Sequence, residues 1–136
     1  MVLGEKVAEE KGKVTGMSIK SVGPEGTTIE IDVVSEIKGF GRLPNAKNMG
    51  TMTAVEGPKT STSKGQGIIV TEDGETLPWH EVGVSKRVGG KPKGLSLVTF
   101  STTSQKYAWV NDNVYVLDGE WSADLTQFTD TAYEWK

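Results

Sequence analysis

The only histidine of the sequence, His80, stands next to a carboxylate, Glu81, in the run Leu77-Pro78-Trp79-His80-Glu81. An imidazole near its ordinary pKa of ~6.5 suits general-base work. Successive residues of a strand point to opposite faces, however, so His80 and Glu81 cannot converge unless a bulge intervenes. A wall or surface histidine is the plainer reading. Glu81 shares its face with Leu77, Trp79 and Gly83, which sets a carboxylate at one end of an apolar stripe. If that stripe faces a lumen, burial raises the pKa of Glu81 and makes it a catalytic or ligand-anchoring acid. If it faces a solvated rim, Glu81 has no special role. Glu81 and His80 are thus the catalytic candidates, and no further catalytic residue is identified.

Other chemistry is thinly supplied. One histidine and no cysteine leave only oxygen ligands for a metal. Neither Asn111-Asp112-Asn113 nor Asp118-Gly119-Glu120 has the spacing of a calcium loop, so no metal is expected. Gly65-x-Gly67 lacks the third glycine of a dinucleotide fingerprint and leads into a strand, not a helix. No nucleophile elbow or phosphate loop is present, and no cofactor is expected. Arg42 and Arg87, the only arginines, lie in loops or at strand ends, where a surface ion pair is the simpler role than carboxylate recognition. The net charge of −3 argues against nucleic-acid binding. The one basic cluster, Lys86, Arg87, Lys91 and Lys93, flanks Gly89-Gly90 and Pro92 and reads as a solvated turn. Tyr107, Trp109, Tyr115 and Trp121 have no basic stripe beside them and read as core or barrel plug, not a stacking platform.

The elements that must position these residues are strands. A chain of 136 residues, 17 of them glycine, fits a single domain (1–136) with many tight turns. Residues 14–22 read as a strand with Gly16 as a bulge. From Thr28 the alternation is regular: Ile29, Ile31, Val33, Ser35 and Ile37 on one face, Thr28, Glu30, Asp32, Val34 and Glu36 on the other. Further strands are expected over 51–56, 63–71, 76–88, 95–102 and 114–125, the last interrupted at Asp118-Gly119. An aromatic segment holding Phe128, Tyr133 and Trp135 closes the structure. Residues 105–113 are either a short helical turn or an irregular loop. About eight short strands with frequent turns predict an all-β fold, and a small closed antiparallel barrel is favoured over a sandwich because every link is short. Residues 1–12 are charged and lack the apolar core of a signal peptide, and no apolar run is long enough to span a membrane as a helix. A cytoplasmic location is the expectation.

The segment 63–83 can be set in register. A two-residue turn at Asp73-Gly74 would place Glu72 opposite Glu75, an unfavourable like-charge pair. A type I turn over Glu72-Asp73 with Gly74 as a left-handed bulge avoids it. Ile69 then faces Leu77, Gly67 faces Trp79 and Gly65 faces Glu81, with the indole covering a glycine. The missing side chains at Gly65 and Gly67 are expected to leave room for a ligand bordered by Leu77, Trp79 and Glu81.

This pattern, Gly65-x-Gly67, Thr71-x-Asp73-Gly74-Glu75, Trp79 and Gly83, resembles small uncharacterised bacterial and archaeal proteins similar in size and hairpin order to the allene oxide cyclase-like (calycin-type) barrels. As a strand pattern the resemblance covers residues 12–125. It implies a barrel with an apolar lumen and no particular reaction, and no pocket residue of that family can be matched here. Three roles stay open, in this order: binding of a small, largely apolar molecule in the lumen; a lumen-based isomerase or cyclase; and a structural protein with a side-chain-filled barrel. A homo-oligomer is expected, because Val34 interrupts the polar face of its strand and the C-terminal aromatics are only partly covered.

Overall fold

In the computed structural model, which describes residues 2–136, the chain is a closed barrel of eight antiparallel strands. They are β1 (Leu3–Gly23), β2 (Gly26–Gly39), β3 (Ala46–Glu56), β4 (Thr60–Thr71), β5 (Thr76–Val88), β6 (Lys91–Phe100), β7 (Tyr115–Trp121) and β8 (Gln127–Trp135). Each strand pairs with the next, and β8 returns to β1. Eight strands enclose an interior just wide enough for side chains or one small ligand.

The regular alternation after Thr28 does what its period requires. Ile29, Ile31, Val33, Ser35 and Ile37 are all buried, and the barrel wall carries Glu30, Asp32 and Glu36 outward. The β4–β5 hairpin takes the register that avoids the glutamate pair: Ile69 opposite Leu77, Gly67 opposite Trp79, Gly65 opposite Glu81. Gly74 has φ +87°, the left-handed bulge residue of that turn. The β1–β2 register shifts between Val14 and Gly16, at the expected bulge.

Two expectations need correction. The charged residues 3–13 are strand, the first half of a β1 that is 21 residues long. Glu5, Lys6, Glu9, Lys11 and Lys13 lie on the outer face, Glu10 turns inward, and Ala8 and Gly12 are buried against neighbouring strands. Asp118-Gly119 does not interrupt β7, because Gly119 pairs with Gly94 and Asp130 in an unbroken ladder. The chain turns instead at 122–125, where the Ser122 hydroxyl accepts from the amides of Thr126 and Gln127. The ambiguous 105–113 stretch contains a 3₁₀ turn, Ala108–Asp112.

The barrel has two unlike ends. At one, the long 101–114 connection folds across the opening and buries Tyr107 and Val110. At the other stand the tight hairpins β1–β2, β3–β4, β5–β6 and β7–β8. Among the described residues no helix is long and apolar enough to cross a membrane.

Candidate functional site in the barrel lumen

Strand β5 turns Leu77, Trp79 and Glu81 inward and leaves His80 exposed on the outer wall. The two catalytic candidates therefore stand on opposite sides of the sheet, and only Glu81 reaches the lumen. The Trp79 indole lies across Gly67 and Gly50: a Cβ on either glycine would sit 2.5 Å from its Cζ2. The glycines thus admit the indole. The room expected for a ligand at Gly67 is filled by Trp79, and at Gly65 by Met52 and the Glu81 carboxylate, 2.8 and 2.9 Å from an added Cβ. Neither glycine borders the main cavity, and Leu77 is packed in the wall behind it. Trp79 and Glu81 both line it.

From Trp79 a chain of polar groups runs around the inside of the barrel. The indole Nε1 donates to Asn48 Oδ1 at 2.7 Å. The Asn48 amide donates to Ser35 Oγ at 3.1 Å and to Glu10 Oε2 at 3.2 Å. The Ser35 hydroxyl also donates to Glu10. Glu10 in turn faces Asp130 across the β1–β8 seam. Burial raises the pKa of Asp130 well above the carboxylate range, and the Glu10 charge and hydrogen bond raise it further. Two adjoining buried carboxyls disfavour the second charge, which acts in the same direction on Asp130 as its burial. Strands β5, β3, β2, β1 and β8 each contribute a member, and each buried polar group named has a partner.

Glu81 is an exception, as are the hydroxyl of Ser104 and, in the chamber wall, that of Tyr115. Glu81 is 7% exposed. Its Oε1 accepts from Ser63 Oγ at 3.0 Å, but Oε2 has no hydrogen-bond partner among the described residues. Burial raises the pKa of Glu81, and the hydroxyls of Ser63 and Ser96 offset this in part. Gly83 makes that arrangement possible: a Cβ there would meet Glu81 Oε1 at 2.5 Å, Ser63 Oγ at 2.8 Å and Ser96 Oγ at 3.1 Å.

These groups divide the lumen. Beneath the 3₁₀ turn lies an apolar chamber of about 120 Å³, walled by residues such as Ile69, Val98, Phe100, Val110 and Tyr115. Toward the hairpin end lies a vestibule of about 90 Å³ with Ser61, Thr62, Ser63 and Ser85 in its wall. Met52, Glu81, Ser96, Leu117, Trp121 and Asp130 border both, forming a waist. Among the described residues no lysine, arginine or histidine lines either space. Arg42 lies over the Trp109 ring, 3.9 Å from its centroid, and Arg87 donates to the Gly90 carbonyl at 3.1 Å. Both arginines are thus outside the lumen wall. Among the described residues no cluster of three or more metal-ligating side chains occurs.

The sequence reading missed Glu10, Asn48 and Asp130. Ser35 was already on the inward face of β2 by its period, and a serine among aliphatic residues was the one signal of a polar interior. Glu10 was lost with the charged segment that contains it, and its partner Asp130 sits 120 positions away.

No family model and no curated protein matches the chain. Solved structures do match across its length. A protein of unknown function from Clostridium acetobutylicum superposes with a TM-score of 0.84 at 15% identity, covering 98% of this chain and 97% of that one. A β-barrel-like protein from Acinetobacter baumannii gives 0.79 at 14% identity, with 98% and 96% covered. An enzyme from Penicillium herquei gives 0.75 at 16% identity, with 96% and 92% covered. At these identities the likeness is one of fold, and what this chain shares with them is the small eight-stranded barrel, without the allene oxide cyclase-like name.

Proposed function

We propose that the protein binds a small, largely apolar molecule in the chamber between the 3₁₀ plug and the waist. The observation that carries this is the chamber itself: an apolar space of about 120 Å³ whose one polar boundary includes an unpaired carboxylate oxygen. An apolar cavity of roughly 150 Å³ suffices to bind benzene. The chamber is slightly smaller than that, so the ligand is at most about one ring or a short chain, with any further group at the waist. The volume favours this over a structural barrel filled by its own side chains, and Ala8 and Ala132 in the wall are small where a filled barrel would use bulk.

The test is saturation-transfer NMR with toluene on the intact protein. Transfer to toluene is expected for the parent chain, and Ala132→Leu, which adds side-chain volume inside the chamber, should abolish it. Val82→Leu, on the outer wall, should leave it unchanged. Equal transfer from the parent and Ala132→Leu proteins would remove the chamber as the site.

A second reading, a lumen-based isomerase or cyclase, draws on the raised carboxyl of Asp130 beside Glu10 and on Glu81 across the waist. A substrate held between them would have an acid and a base within the lumen. The Penicillium herquei neighbour, named an enzyme, has the same fold. Turnover of a candidate substrate lost in both Glu81→Gln and Asp130→Asn would favour this reading; turnover untouched by both would exclude it. For the expected homo-oligomer, the supporting surface is the strip Val82, Val84, Leu95 and Leu97 on adjoining strands, all of them exposed. Light scattering that returned only the 14.6 kDa monomer would dismiss it.

A further inference from the structure

We propose that the waist takes a small organic cation, a primary ammonium head held between Glu81 and Asp130, with an aryl or short-alkyl tail in the chamber. This deepens the lumen-binding reading and rests on it.

The first support is the unpaired oxygen. A carboxylate oxygen that is buried without a donor is costly, and native structures rarely tolerate one. Glu81 is 7% exposed, and its Oε2 lies between Gly65 and Met52 with no donor among the described residues. Glu81 borders both lumen spaces, and a turn of its carboxyl from Gly65 toward the waist lets a ligand's N–H donors satisfy that oxygen.

The sign of the lumen is the second. Glu10, Glu81 and Asp130 border the chamber, Glu56 joins them in the vestibule, and among the described residues no basic side chain lines either space. Charges interact several-fold more strongly at the low effective dielectric of an interior than in water. An anion entering here would meet carboxylates with no counter-charge, whereas an ammonium would neutralise one. Of the cations at this end, Lys59, Lys86 and Arg87 border a separate depression adjoining the vestibule, and Lys91 pairs with Glu120. Salt screens them at ~10 Å.

Shape and ring faces agree with that assignment. Trp121 and Phe128 stack with centroids 4.8 Å apart, and both line the chamber beside the waist. Aromatic faces attract ammonium groups. Ser63 and Ser96 flank the Glu81 carboxylate, and a serine hydroxyl retains acceptor capacity while it donates. The chamber volume limits the tail to about one ring.

The experiment compares four probes of one size by calorimetry at neutral pH: toluene, benzyl alcohol, benzylamine and benzoate. Benzylamine is expected to bind about tenfold tighter than toluene or benzyl alcohol, and benzoate not measurably. Glu81→Gln should erase the benzylamine advantage while toluene still binds. Asp130→Asn, which keeps a hydrogen-bonding side chain beside Glu10, should reduce the advantage in part and serves where Glu81→Gln fails to fold. If toluene binds but benzylamine binds no tighter, the cation assignment falls and the chamber reading stands. Equal affinity for benzyl alcohol and benzylamine overturns it as well. If toluene does not bind, the lumen reading fails, and this inference with it.

Discussion

The two ends of the barrel are closed by different means. At the plugged end, side chains of the β4–β5 and β6–β7 connections lock together. Asp73 accepts from Thr71 Oγ1 at 2.5 Å and from the Tyr107 hydroxyl at 3.0 Å, and it pairs with Lys106. Asn111 holds the Thr102 backbone through both its amide oxygen and its amide nitrogen, each at 2.9 Å. The Thr102 hydroxyl donates to the Thr76 carbonyl at 2.7 Å. At the hairpin end the β1–β2 and β5–β6 turns use glycines in the left-handed region, Gly26, Gly89 and Gly90, and the β7–β8 turn is held within itself by Ser122 and Asp124. Inside that mouth, serines replace the aromatic and aliphatic bulk of the other half. One end retains and the other admits, and Glu81 and Asp130 stand at the boundary.

The largest effect that would sharpen this contrast is in the wall of the retaining half. Leu77 is fully buried, so Leu77→Ala should cost about 2–5 kcal/mol in denaturant unfolding. Val84→Ala, an outward residue on the same strand nearer the hairpin end, should change stability by less than about 0.5 kcal/mol. Similar costs at the two positions would break the contrast.

The next effect lies at the boundary and depends on pH. Burial raises the Glu81 pKa above its ordinary 4.5, so the folded protein binds that proton more tightly than the unfolded chain does. Its contribution to stability is present below pH 4.5 and is lost as pH rises through the raised value. Asp130 acts in the same sense from its ordinary 3.8. Glu81→Gln, which cannot ionise, should therefore gain in melting temperature on the parent as pH is raised from about 4 to about 8. A constant difference over that range would mean Glu81 titrates normally.

The smallest effect belongs to the latch. Lys106 and Thr71 hold the Asp73 carboxyl well below the usual carboxylate range. Its contribution is present above the ordinary value of 3.8 and is lost as pH falls toward the depressed one. Asp73 is exposed to solvent and salt, so the loss of global stability in Asp73→Asn should be slight. Local opening should still rise: hydrogen exchange of residues 101–114 is expected to quicken while β2 keeps its protection. Unchanged exchange there would show that packing of Tyr107 and Val110 holds the plug without the latch.

Much of this architecture was legible in the residues. The β2 alternation and the Glu72–Glu75 conflict sufficed to place Trp79 over Gly67 and Glu81 on the inner face. What misled was local polarity. Residues 5–11 look like a solvated lead-in because a barrel wall can carry charges outward while only every second residue turns in. The same alternation hid Glu10. Its pairing with Asp130 follows from closure of β8 onto β1, a contact that no window of sequence contains. The glycines were read as vacancy when they are clearance for a large ring. A missing side chain tells where something approaches closely, and whether that is a ligand or the protein's own tryptophan is decided across strands.

The central claim is an accessible apolar chamber beneath the plug, and xenon tests it most directly because it seeks apolar cavities without regard to head group. In crystals pressurised with xenon, the account predicts one principal site among Val98, Phe100 and Val110, absent in Ala132→Leu. No xenon in the lumen, or xenon only on the outer strip of Val82, Val84, Leu95 and Leu97, would contradict it.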